Sequence, residues 1–68
     1  MPDKVYKKLR VTGCSQTSFK HAVELAVAKT AESVRGSAWF EVVELRGAVA
    51  NGEVKEWQAT VDIAFKVD

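Results

Sequence analysis

The 68-residue sequence has one cysteine, one proline and one histidine. A lone thiol cannot close a bridge within the chain, and no Cys/His cluster is present to hold a zinc staple. Long apolar runs are also missing. The longest uncharged stretch, Val11 to Phe19, is too short and too polar to span a bilayer. Charge of one sign is lacking too: ten Lys+Arg against nine Asp+Glu leave a net charge of +1. That gives no general pull toward nucleic acid or anionic lipid, so neither is expected as a partner. Behind the Met-Pro-Asp-Lys start lies no signal-peptide core, and the expected compartment is a reducing cytoplasm.

What is present is an ordinary globular composition, 47% hydrophobic and 28% charged, which argues against a disordered tail. The length allows one domain, residues 1–68. A chain this small buries only about 60% of the surface its unfolded form exposes, and is marginal alone. With disulfide and zinc excluded, association with further copies is the remaining source of stability.

Four elements are legible. Residues 4–12 alternate, with Val5, Lys7, Leu9 and Val11 on one side and Tyr6, Lys8, Arg10 and Thr12 on the other, as in a strand. Gly13-Cys14-Ser15 breaks that pattern, and Ser15 has the chemistry of a helix N-cap. Phe19, Ala22, Val23, Ala26, Val27, Thr30, Ala31 and Val34 then recur at helical spacing, which predicts a helix over 16–34. Arg35 suits its negative end and Gly36 the left-handed position just past it. Residues 38–50 and 53–67 flank Asn51-Gly52, the preferred pair of a type I′ hairpin turn. The expected fold class is α+β in the order β-α-β-β.

A two-residue loop sets Ala50 opposite Glu53. Carried outward without a bulge, it places Phe40, Val42, Glu44 and Arg46 on the face that takes the helix, and Trp39, Glu41, Val43 and Leu45 on the other. Two oddities follow. Thirteen extended residues run about 43 Å against about 28 Å for nineteen helical ones, so an overhang with Val49, Val54 and Trp57 is left uncovered. On the far face Glu41 opposes Asp62, which is unfavourable unless a cation or a neighbouring chain compensates. That same face holds Trp39, which suits a subunit interface with an aromatic ligand platform better than a solvated surface.

Catalytic chemistry is thinly represented. No carboxylate or nucleophile is spaced to work with His21, so it reads as a solvated or interface histidine. Cys14 has no CxxC partner and reads as a small loop residue. The four glycines are scattered and form no phosphate loop. The basic residues around Tyr6 lack the aromatic pattern of an RNA-binding surface. No enzyme is expected.

Thr12-Gly13-Cys14-Ser15 resembles the Thr-Gly-Thr-Ser turn of the dodecin family, with Cys14 as the departure. Trp39-Phe40-Glu41-Val42, Glu44-Leu45-Arg46-Gly47, Val54-Lys55-Glu56-Trp57-Gln58 and Ala64-Phe65-Lys66-Val67 also resemble dodecin signatures, in order and across nearly the whole chain. The resemblance implies a three-stranded antiparallel sheet partly wrapped around one helix, with twelve copies in a hollow homododecamer. It also implies flavins bound in pairs at subunit interfaces, for storage, buffering and photoprotection without turnover. By motif, Trp39 would stack on the isoalloxazine, Gln58 would bond its polar edge, and Arg46 would reach a phosphate or ribityl chain. Glu44, Leu45 and Tyr6 complete the implied cofactor site. The implied cofactor is flavin mononucleotide, with riboflavin or FAD as variants. The alternative is an oligomeric shell for another ligand such as coenzyme A, which the family resemblance also allows at a second site near Lys4 and Lys66. Trp39 falls opposite Ala64, six residues from Gln58, or about 20 Å along the strand. Both can grip one flavin only from different subunits.

Overall fold

A computed structural model of the protein describes residues 3–68. Met1 and Pro2, the first residues of the expected 1–68 domain, lie outside the described residues. Along the chain come β1 (Val5–Ser15), α1 (Phe19–Ala31), β2 (Ser37–Ala50) and β3 (Glu53–Val67). The strands form one antiparallel sheet in the order β1-β3-β2, with α1 packed on one face. The β-α-β-β architecture is as expected; the element ends differ in instructive ways.

β1 runs three residues further than its alternation suggests. Gly13, Cys14 and Ser15 stay paired with Ala59, Gln58 and Trp57 of β3. Gly13 is needed here for closeness: a Cβ on it would lie 2.0 Å from the Ala22 carbonyl oxygen of α1. With Ser15 held in the sheet, the N-cap moves one turn on. Ser18 is extended (φ −170°, ψ 163°), and its Oγ accepts from the His21 backbone N–H at 3.0 Å. Ser15, expected as the cap, instead closes the turn, its Oγ accepting from the backbone N–H groups of Thr17 (3.0 Å) and Ser18 (3.4 Å). The helix ends at Ala31 with Glu32 as C-cap. Gly36 is left-handed (φ 77°) as expected, but it leads into β2 rather than capping the helix.

The hairpin turn is as expected, with positive φ at Asn51 (55°) and Gly52 (76°). Its register starts at Ala50–Glu53 and recovers the expected pairs at Val42–Val61, Glu41–Asp62, Phe40–Ile63 and Trp39–Ala64. Between these ends it slides by one. Lys55 is an extra residue on β3 and Val43 an extra residue on β2, so the two irregularities cancel. Within the slid segment Glu44 pairs with Thr60, Leu45 with Ala59, and Arg46 with Gln58. Leu45 therefore lies on the helix side, where it lines a groove with Phe19 and Val23, while Glu44 and Arg46 turn to the far face. This reverses the unbulged expectation for all three. The adjacent valines Val42 and Val43 mark the place where the alternation must skip. A third irregularity at Ala38 sets Ser37, not Ala38, opposite Phe65.

The core is small. Ala26, Val61 and Ile63 form its centre, with Val11, Val23 and Val27 packed around them. α1 leans on β1 and β3 and barely touches β2. Phe40, Val42 and Leu45 of β2 consequently stay about half exposed along a groove of about 620 Å³ beside the helix. The helix has thirteen residues, about 20 Å, on a molecule 56 Å long. The overhang is present at Val49 and Val54, exposed by 69% and 51%. Trp57 is a correction to it, since its ring meets Phe19 edge-on with centroids 4.9 Å apart.

Gly13→Ala is expected to lower stability by about 2 kcal/mol or more, because the added methyl must push backbone away rather than a flexible side chain. Urea unfolding of the two proteins measures it, and equal midpoints would remove Gly13 from the helix–sheet contact.

Candidate functional site

The face of the sheet opposite α1 carries the alternate residues of all three strands. β1 contributes Tyr6, Lys8, Arg10, Thr12 and Cys14; β3 contributes Glu56, Gln58, Thr60, Asp62, Ala64 and Lys66. β2 adds Trp39 and Glu41 at one end and, beyond the Val43 bulge, Glu44 and Arg46 toward the other. Five of the six residues expected at the site share this face. Leu45 does not, because the same bulge sends it to the helix side.

One cluster is built around Trp39. Its indole Nε1 donates to Glu41 Oε2 at 2.9 Å, two residues on along the same side of β2. Lys8 Nζ reaches that same oxygen at 2.7 Å from β1, across the central strand. The crossing is possible because the β3 residue opposite both Lys8 and Trp39 is Ala64, a small side chain that is fully buried. Tyr6 also spans β3 and lies against Trp39, with centroids 4.7 Å apart and the rings tilted by 56°.

Next along the sheet, Arg10 forks onto Asp62, with Nε donating to Oδ1 at 2.7 Å and Nη2 to Oδ2 at 3.0 Å. The Glu41–Asp62 opposition is thus compensated within the chain, one cation per carboxylate, and requires no bound cation or neighbouring subunit. The hydrogen bond from Arg10 holds the Asp62 carboxyl below its usual range, and bonds from Lys8 and then Trp39 do the same for Glu41. Among the described residues no group of three His, Cys, Asp or Glu side chains is placed to hold a metal ion.

The second cluster is Arg46, Gln58 and Glu56. Arg46 Nε donates to Gln58 Oε1 at 2.6 Å, and Gln58 Nε2 donates to Glu56 Oε1 at 2.6 Å. These bonds fix which way the amide points. They leave it one acceptor lone pair and one donor hydrogen, and leave the outer guanidinium N–H groups of Arg46 available. Cys14 is exposed beside Gln58 in the register. With Trp39 opposite Ala64, the two clusters stand about 20 Å apart along β3.

Glu41, Lys8 and Glu56 hold these side chains and were not among the expected site residues. The Trp39-x-Glu41 and Glu56-x-Gln58 spacings, two apart on a strand, were a readable signal. The reach of Lys8 was not, because it depends on β3 lying between β1 and β2. His21 also differs from expectation: Nδ1 shares a 2.7 Å hydrogen bond with Ser15 Oγ. That oxygen is buried and already accepts two backbone N–H groups, so the pair ties the turn to the helix rather than presenting a nucleophile.

Fold and site together define a small α+β protomer with an aromatic and hydrogen-bonding face and an apolar back that its helix only half covers. A sequence profile of the Dodecin family matches residues 5–68. The dodecin of Thermus thermophilus is 35% identical over 65 residues, covering 96% of this chain and 94% of that protein. The dodecin structure from Streptomyces coelicolor superposes with a TM-score of 0.93 at 31% identity, covering 100% of this chain and 97% of the other. A calcium dodecin from Mycobacterium tuberculosis, described as calcium chelating with a novel calcium-binding site, superposes with a TM-score of 0.81 at 29% identity over 94% of this chain and 91% of its own. The chain belongs to the dodecin family. No helix among the described residues is long and apolar enough to cross a membrane.

Acidification has a defined sign here. Asp62 and Glu41 have depressed folded-state pKa values, so their stabilisation is present above the unfolded carboxylate range, near pH 4. It is lost as pH falls through the lower folded values. The unfolding midpoint is expected to fall in that window, and Asp62→Asn to flatten part of the fall. An identical pH profile in Asp62→Asn would show that the Arg10–Asp62 fork does not contribute.

Proposed function

We propose that this protein binds a flavin, FMN or riboflavin, between subunits of a homododecamer and holds it without turnover for storage and photoprotection. The observation that carries this reading is the Arg46–Gln58 pair on the same face as Trp39. Isoalloxazine is flat and electron-poor, and an indole is flat and electron-rich. Stacking them in a dry slot contributes on the order of 1 kcal/mol beyond the area buried. The spare donor and acceptor of Gln58 match the alternating donors and acceptors on the pyrimidine edge of the ring. The free guanidinium donors of Arg46 suit a phosphate.

Twenty ångströms separate the platform from the amide in one chain, roughly twice the length of the three-ring system, so the two residues serve one flavin only from different copies. The half-bare apolar strip of Phe40, Val42 and Leu45 supports an assembly that covers it. In such a slot Trp39, as an electron-rich ring in contact with the ligand, would quench its excited state by giving an electron and taking it back, with no net change in either partner.

Trp39→Ala is expected to weaken flavin binding and restore the fluorescence of flavin that does bind, with the native particle mass unchanged. A titration followed by fluorescence, beside light scattering, measures both; wild-type affinity and quenching in the variant would remove Trp39 from the site. Arg46→Ala is expected to weaken FMN by about tenfold while changing riboflavin much less. Equal losses for the two ligands would show that Arg46 does not meet the phosphate.

A further inference from the structure

We infer that Glu41 and Lys8 are positioning residues for the Trp39 platform. This rests on the flavin reading and adds to it the part of the chain that makes the indole fit to stack.

An indole on an extended strand can turn about two side-chain bonds, and a freely turning ring loses that freedom when a planar ligand lands on it. Here the ring is held at its polar edge, where Nε1 donates to Glu41 Oε2. That carboxylate is itself pinned at the same oxygen by Lys8 Nζ at 2.7 Å. The chain of contacts therefore runs from β1 to β2 over the buried methyl of Ala64, and the ring on edge strand β2 is tied to the opposite strand of the sheet. Tyr6 lies against the ring with its centroid 4.7 Å away and its plane tilted by 56°, a further contact that limits the ring's turning.

Glu41 is well placed for this work electrostatically. Lys8 faces it from β1 and Asp62 from β3, and Asp62 is neutralised by Arg10; α1 lies behind the sheet. The carboxylate remains ionised at neutral pH, and a charged acceptor binds an N–H donor more strongly than a neutral one does. A negative group at the indole N–H also raises the electron density of the ring, which favours both stacking on an electron-poor partner and electron donation to it.

The test uses the full-length protein with Glu41→Ala and Glu41→Gln. The Gln side chain keeps an oxygen that can accept from the indole, and the Ala side chain does not. In the flavin-free protein, hydrogen exchange of the Trp39 indole N–H is followed by NMR, its resonance assigned by its loss in Trp39→Phe. Flavin affinity and quenching are then measured by titration with FMN. Glu41→Ala is expected to speed indole exchange and raise the FMN Kd by about tenfold each, at unchanged particle mass. Glu41→Gln is expected to recover most of both values. Wild-type exchange or wild-type affinity in Glu41→Ala overturns the inference, because the bond would then be a surface contact without consequence for the ligand. If the unmodified protein binds no FMN, the flavin reading fails, and indole exchange alone decides: faster in Glu41→Ala upholds the positioning role, unchanged overturns it.

Discussion

Side chains alternate across a strand, so one extra residue in β2 decides which side of the sheet every residue beyond it faces. Val43 is that residue. Before it, Trp39 and Glu41 face away from the helix while Phe40 and Val42 face toward it. After it, the parity is reversed, and Glu44 and Arg46 come to the face that Trp39 occupies. The compensating irregularity at Lys55 returns the register to the turn, so the hairpin closes normally at Asn51-Gly52. Without the phase change Arg46 would point at the apolar side and Gln58 would have no guanidinium to fix its amide. The polar site and the apolar groove both owe their composition to one bulge.

Much of this was legible in the sequence because local rules carried it. Asn51-Gly52 identified the turn, the three-four spacing from Phe19 identified the helix, and a simple count outward from the turn placed Trp39 opposite Ala64 correctly. What was not legible depended on contacts between distant segments. Gly13 looked like a break in a strand, and only the approach of the Ala22 carbonyl explains why a glycine belongs inside one. Ser15 and Ser18 have equal capping chemistry, and the pairing of Ser15 with Trp57 decides between them. The neutral balance of Glu41 and Asp62 required knowing that β1 lies beside β3, which brings Lys8 and Arg10 over them. The doublet Val42-Val43 was the one sequence signal of the bulge, and alternation alone does not say which strand absorbs it.

The protomer spends its few large apolar side chains unevenly. Among the described residues, six small or medium side chains make up the buried apolar set, whereas Phe40, Val42, Leu45, Val49 and Val54 remain substantially exposed. A short helix placed over β1 and β3 cannot reach them. This is the surface economy of a subunit rather than of a free-standing domain. The two site clusters stand about 20 Å apart along β3, so under the proposed flavin reading Trp39 and Gln58 meet one ligand only when copies pack together.

That meeting is tested most directly by mixing subunits. Trp39→Ala and Gln58→Ala protomers, each unable to hold flavin well, are unfolded together and reassembled. If Trp39 and Gln58 of each site come from different chains, random mixing restores both residues to about one site in four, and tight flavin binding returns to that share of sites. If both come from one chain, no mixed assembly contains an intact site, and binding that stays at the level of the separate variants would contradict the account.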